Sequence, residues 1–391
     1  MVAKALQQTG ALLTVLLMVA AVVVVATGAL PWPDATALAG RVAPVLALVV
    51  AITVVAELAS AAGVFTALAE RMAAWGRGRV AVLWLLVIAL AVVSTAFLSL
   101  DTTAVLVTPV VVVLALHIGV SPIPFALATV WLANTASLFL PVSNLTNLLA
   151  ARSFDGGTAA FVAAAWAPAL VGVVVSAGIL TLVYRRSLRG RFELPERTPV
   201  TDRPLLVYSA VVVLLLLPLL VSGLEVAIVA GAAAVLLLGA FLVRDRSALT
   251  PSLVPWQALG IAASLFVLVE AAQVNGLEDL LTAVSGSGDD PLSLLHLAAI
   301  GALGANTINN LPAYLVLEPQ AAGDTTRLVA LLIGVNLGPL VTPWASLATL
   351  LWHQRLTTLG VRISWPRFMG LGLVGVAVVV PAAVAALALL G

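Results

Sequence analysis

The stretch Pro141-Val-Ser143-Asn144-Leu145-Thr146-Asn147-Leu148-Leu149 decides the fold, and its plan returns at Pro343-Trp-Ala-Ser346-Leu347-Ala-Thr349-Leu350-Leu351. Each copy sets a proline and small polar residues inside otherwise apolar sequence. Backbone that leaves the helix at membrane depth survives only where protein or a watery cavity satisfies its polar groups. A matched pair of such interruptions, one in each half of a chain, points to a transporter's binding site. Pro141 marks one helix break; Gly338, Pro339 and Pro343 mark the other.

Around these breaks the composition is that of a membrane protein. Of the 391 residues, 62% are hydrophobic and 9% charged. The mean hydropathy is +1.19, far outside the range of soluble domains. Apolar stretches near or above the ~20 residues that span a bilayer recur along the whole length. Residues 11–30 follow Lys4 as a signal peptide would, but many similar segments come after, so they read as the first transmembrane helix. The absence of cysteine removes disulfides, thiolate metal sites and thiol nucleophiles. His117, His296 and His353 are scattered, so neither a metal centre nor another cofactor is expected, and nothing calls for a nucleic-acid partner.

Full crossings are expected near 11–30, 42–60, 122–150, 160–184, 204–222, 224–243, 254–274, 326–352 and 369–390. The segments 80–119 and 291–318 read as re-entrant hairpins. With the N-terminus in the cytoplasm, all but Arg41, Arg152 and Arg327 of the 18 basic residues fall on the cytoplasmic side. That asymmetry satisfies the positive-inside rule. It supports the sidedness of a multi-pass protein in the plasma (inner) membrane, surrounded by lipid, without distinguishing hairpins from paired crossings.

Two further matches extend the repeat. Glu57 through Gly63 aligns with Glu270 through Gly276, and Ser99-Leu-Asp101-Thr102-Thr103 aligns with Ile308-Asn309-Asn310-Leu311-Pro312. An odd number of crossings separates the halves, which makes this an inverted-topology repeat. The first repeat covers 1–184, with hairpin 80–119 and broken helix 122–150. A cytoplasmic linker occupies 185–203 and a connector helix 204–222. The second repeat covers 223–391, with hairpin 291–318 and broken helix 326–352.

The polar clusters fall at the tips and breaks. Asp101, Thr102 and Thr103 form one hairpin tip; Asn309 and Asn310 form the other. Asn134, Ser143 and Asn144 lie at the first break, Thr342 and Ser346 at the second. Half-helix N-termini attract anions or oxygen-rich solutes, and carbonyl ends hold cations. Hydroxyls and amides both donate and accept hydrogen bonds, which suits a small polyhydroxyl solute. Asp101 is the acid at a proposed binding tip, where an intramembrane carboxylate is expensive and usually functional. Its alternative role is a structural cap for the second hairpin arm.

The run Gly338-Pro339-Leu-Val-Thr342-Pro343-Trp-Ala-Ser346 through Trp352 resembles the signature of the ArsB-type arsenite/antimonite permeases. So do Asn134-Thr135-Ala136-Ser137 through Ser143-Asn144-Leu145, Asn309-Asn310-Leu311-Pro312, and Phe97 through Asp101. The resemblance runs in order over nearly the whole chain. It implies a member of the ion transporter superfamily, which also holds sodium-coupled dicarboxylate symporters. The implied fold is all-α, with a scaffold and a mobile domain of hairpins and broken helices, often dimeric and moving like an elevator. The chain departs from the family pattern at Asn134 and Asn336, where aspartates are usual, and at Leu340, where a basic residue is common. Those departures bear on the coupling ion and the substrate more than on the fold.

The expected function is a secondary carrier that expels arsenite or antimonite in exchange for protons. A sodium- or proton-coupled dicarboxylate or anion symporter is the alternative. Arsenite and antimonite near neutral pH are mostly neutral trihydroxides, so an anion-binding arginine is unnecessary, and no basic residue falls at the clusters. The resemblance also allows a separate ATPase subunit, since the chain carries no Walker A motif. An intramembrane protease is excluded by the absence of H-E-x-x-H and of a second membrane-centre aspartate. A channel stays open, because broken helices also line pores.

Overall fold

Inside a bilayer every backbone N–H and C=O has to be paired within the protein, and uniformly apolar runs meet that demand as helices. A computed structural model describes residues 2–193, 202–220, 222, 224–277 and 285–390. Among these residues, nine helices are long and apolar enough to cross a membrane. The only β-type pairing among them is an isolated bridge between Arg79 and Arg191. The chain is a polytopic, all-α membrane protein.

Helices α1 (Val2–Ala26) and α2 (Trp32–Ala61) open the chain, and α3 (Val64–Trp75) follows. Helices α4 (Val80–Leu98) and α5 (Leu100–His117) form a hairpin with Ser99 at its tip. Helix α6 (Pro122–Thr135) stops, the backbone passes through tight turns at Ala136–Phe139 and Pro141–Ser143, and α7 (Leu145–Ala150) resumes. Then come α8 (Gly157–Tyr184), α9 (Arg203–Leu219), α10 (Val226–Arg244) and α11 (Trp256–Ala272). The second hairpin joins α12 (Pro291–Ile308) to α13 (Asn310–Leu317) through Asn309. Helix α14 (Thr325–Leu337) breaks before α15 (Leu347–Thr358), and α16 (Trp365–Leu390) is the last element.

Helix α3 has no counterpart in the sequence reading. It is 12 residues long and buries only Phe65, Ala69, Met72 and Ala73, so it is too short and too polar on its other face to register as an apolar run. The linker expected over 185–203 lies partly outside the described residues, at 194–201. Its described part docks on the loop before α4, where the Phe192 amide donates to the Gly78 carbonyl at 2.9 Å. Arg244 at the end of α10 donates to Asp202, the cap of α9, at 2.8 and 3.0 Å. These bonds, with the Leu205 amide that Asp202 caps, hold its carboxyl below the usual carboxylate range.

Packing is reciprocal. Helix α1 lies on α11 and α2 on α10, while α8 runs along α16 and α12 along α14. Two apolar cores result, one around the first hairpin and α10, the other around the second hairpin, α14 and α16. Phe139, Ile179 and Val376 pack against both. The outer faces of α8, α10 and α16 expose residues such as Leu182, Val243 and Leu389, an apolar girdle suited to lipid.

Close approach of α12 and α14 depends on Gly334, where a Cβ would press on the Ala298 carbonyl. A backbone atom cannot swing aside, and overpacking of this kind costs about 1–3 kcal/mol. Gly334→Ala is therefore expected to lower the unfolding temperature of the full-length protein in detergent. An unchanged unfolding temperature would contradict this packing.

Candidate transport site

The two hairpin tips share an unusual backbone. Ser99 has φ 119° and ψ 161°, and Asn309 has φ 98° and ψ 154°. Non-glycine residues reach this region only where their surroundings hold them there. Both tips also cap the arm that follows: Ser99 Oγ accepts the Thr102 amide at 3.2 Å, and Asn309 Oδ1 accepts the Leu311 amide at 3.3 Å. Ser99 therefore corresponds to Asn309, not to Ile308 as the sequence alignment has it. Matching polar side chains shifts the register by one, because the backbone turn leaves no trace in residue type. Asp101 then corresponds to Leu311. Since Ser99 is the cap, the capping role considered for Asp101 is already filled.

The breaks correspond as well. Asn144 and Ser346 are both extended, at φ −151° and φ −142°, and each precedes the second half-helix. A break orphans backbone groups at both half-helix ends. At the first break Asn147 Nδ2 donates to the Ser137 and Leu140 carbonyls, and Ser143 Oγ donates to the Ala96 carbonyl of α4 at 2.7 Å. At the second break the work falls to Asn306 of α12. It donates to the Gly338 carbonyl at 2.7 Å and accepts the Thr342 amide at 2.9 Å. Its own carbonyl accepts from Thr342 Oγ1 and from Trp344 Nε1. Asn309 Nδ2 donates to the Trp344 carbonyl at 2.8 Å, and the Asn310 amide to the Ala345 carbonyl at 2.9 Å. Each hairpin is thereby stitched to the break of its own half.

Asn336 joins the halves. Its Oδ1 accepts from Asn144 Nδ2 at 2.9 Å and from Thr146 Oγ1 at 2.8 Å, and its Nδ2 donates to Asn147 Oδ1 at 2.6 Å. All four side chains are buried, so this amide knot sits where unpaired groups are most costly. A neutral amide thus fills a position at which the resemblance implies an aspartate.

Both tips and both breaks open on one cavity of about 410 Å³. Ser99, Asp101, Ser143, Asn144, Asn309, Asn310 and Ser346 line it. Leu46, Val49, Ile52 and Thr53 of α2, Leu17 of α1 and Leu259 and Leu265 of α11 line it too. Asp101 is the charged residue among those lining it, and no hydrogen-bond partner meets its carboxylate among the described residues.

Eight of the residues singled out from sequence do not line the cavity. Thr102 and Thr103 hold the first hairpin together, with Thr103 bonded to Thr95 Oγ1 and to Ser94 Oγ. Asn134 is buried at the end of α6, its Nδ2 on the Val130 carbonyl. Thr342 is spent on Asn306, and Pro141, Gly338, Pro339 and Pro343 shape the breaks without lining the cavity. The amides Asn147, Asn306 and Asn336 were not among the sequence-predicted site residues. Their signal is polarity inside apolar helix: Asn147 lies within the first repeated phrase, Asn336 a little before the second, and Asn306 one turn before the tip at Asn309.

The family model described as citrate transporter matches residues 4–326. The arsenical pump membrane protein of Yersinia enterocolitica is 29% identical over 355 residues, which is 84% of this chain and 82% of that one. The protein of the same name from Escherichia coli is 28% identical over 351 residues, with the same coverage. The crystal structure of the Alcanivorax borkumensis YdaH transporter, described as having an unusual topology, covers 97% of this chain and 98% of its own. Its TM-score is 0.59 at 15% identity, a likeness of fold. Helices, paired hairpins and paired breaks around one cavity accord with these findings, and the chain belongs to the citrate-transporter family, with arsenical pump membrane proteins among the proteins it is similar to.

Proposed function

We propose that the protein is a secondary active transporter of the inner membrane that expels arsenite or antimonite in exchange for protons. The observation that carries this reading is the cavity shared by both tips and both breaks, with hydroxyls and amides in its lining and Asp101 as its charge. A neutral trihydroxide donates and accepts in the manner of Ser143, Asn144, Asn309, Asn310 and Ser346. Asp101 is the proton carrier in this reading, since it is the carboxylate in contact with the cavity. The two halves are inverted repeats, the N-terminus is cytoplasmic, and the hairpins with their broken helices move as one body against α1, α2, α10 and α11, within a homodimer. A separate ATPase subunit would add its energy from outside this chain.

A second reading, export or uptake of an organic or inorganic anion, is favoured by the citrate-transporter model. Against it stands the cavity lining, in which, among the described residues, no lysine or arginine balances a carboxylate near Asp101. Two helix N-termini alone would have to do so. Expression in an arsenite-sensitive bacterium separates the readings. Raised arsenite tolerance with lower cell-associated arsenic is expected, with growth on citrate unchanged. Unchanged tolerance together with citrate-dependent growth would promote the second reading.

A further inference from the structure

The correspondence that sets Asn144 against Ser346 also sets Asn134 against Asn336 and Asn147 against Thr349. On one side of the molecule Asn336 of α14 meets Asn144 and Asn147 of α7, and every polar atom in that knot is bonded. By that correspondence the mirrored side sets Asn134 of α6 against Ser346, the cap of α15, and Thr349 within it. Helices α6 and α15 are in contact there, tied by Trp352 Nε1 donating to the Ala126 carbonyl at 2.8 Å. Yet Asn134 Oδ1, Ser346 Oγ and Thr349 Oγ1 are all without a hydrogen-bond partner among the described residues. The three residues are 1%, 0% and 0% exposed. Orphaned oxygens at this depth are rare and call for a ligand.

Their chemistry narrows the occupant. The Asn134 amide is oriented by its Nδ2 bond to the Val130 carbonyl at 2.9 Å, which leaves its oxygen free. The set is then three neutral oxygens, the donor type that hard cations take. All three oxygens are closed off from water. A dehydrated sodium ion holds its oxygens closer than water does. Trp131 Nε1, one turn earlier in α6, is unpartnered too; as a donor it takes no part, and its ring lies against Gly375 of α16. We propose that Asn134, Ser346 and Thr349 form a site for a monovalent cation of sodium's size, distinct from the cavity except that Ser346 belongs to both. The site stands on this geometry; its use in coupling rests on the carrier reading. Where protein bonds join the broken helices permanently around Asn336, the equivalent join around Asn134 forms when the ion binds.

Thermal unfolding of the purified full-length protein in detergent tests this without any metalloid. The titrant is sodium chloride at constant ionic strength, with potassium and choline chloride as controls. A saturable, sodium-specific rise in unfolding temperature is expected. Thr349→Val, which removes only an unbonded hydroxyl and so preserves the fold, is expected to abolish that rise, as is Ser346→Ala. Asn134→Asp adds a charge to the site and is expected to lower the half-saturating sodium concentration on the order of tenfold. No sodium-specific rise in the unchanged protein, or the same rise in Thr349→Val, would overturn the proposal and leave a buried polar pocket only. A weaker sodium response in Asn134→Asp would overturn it as well. Missing arsenite flux would leave the sodium result standing, and a missing sodium response would leave arsenite exchange standing.

Discussion

Asn336→Leu is expected to destabilise the full-length protein by about 3 kcal/mol or more, since each buried polar group left unpaired costs ~1–3 kcal/mol. The substitution strands Asn144 Nδ2, Thr146 Oγ1 and Asn147 Oδ1 together. Asn147 also holds the carbonyls of the first break, so the damage reaches the cavity wall at Asn144. Asn336→Asp, as the neutral acid, keeps an acceptor for Asn144 and Thr146 and a donor for Asn147. It is expected to cost distinctly less. Denaturant unfolding of the two variants in detergent measures the difference. Equal stability of Asn336→Leu and the unchanged protein would remove the knot from any account of how the halves are joined.

Asp101→Asn is expected to abolish gradient-driven flux while leaving the protein folded. The fold is spared because Ser99, not Asp101, caps α5, and because no bond to the Asp101 carboxylate is lost among the described residues. Flux is lost because an amide cannot take up and release a proton, and among the described residues no other lining residue carries a charge. Downhill exchange without a pH gradient is the control, and some of it is expected to survive. Normal gradient-driven flux in Asp101→Asn would take this residue out of the coupling mechanism.

The helix breaks and hairpins were legible because proline and polar residues are costly inside a long apolar run unless the helix turns or stops there. The pairing of Gly63 with Gly276 was legible too, and both are left-handed, at φ 83° and 93°. The tip register was not, because a positive φ at Ser99 and Asn309 is a property of backbone that either side chain can adopt. Helix α3 was hidden by its length. The cavity lining was half legible for a related reason. Sequence marks a residue as polar, but only geometry separates Asn144, which faces the cavity, from Thr342, whose hydroxyl and amide are taken by Asn306. Asn147, Asn306 and Asn336 carry the breaks through contacts that mostly cross from one element to another, and such contacts have no sequence spacing to betray them.

On the proposed mechanism one cavity moves a neutral metalloid hydroxide against protons. Labelled arsenite uptake into everted membrane vesicles, with and without an imposed pH gradient and beside labelled citrate, tests it most directly. Uptake that needs an acid interior, collapses with the gradient and is matched by no citrate uptake is the expected result. No metalloid flux under any gradient, alongside sodium-dependent citrate uptake, would contradict it.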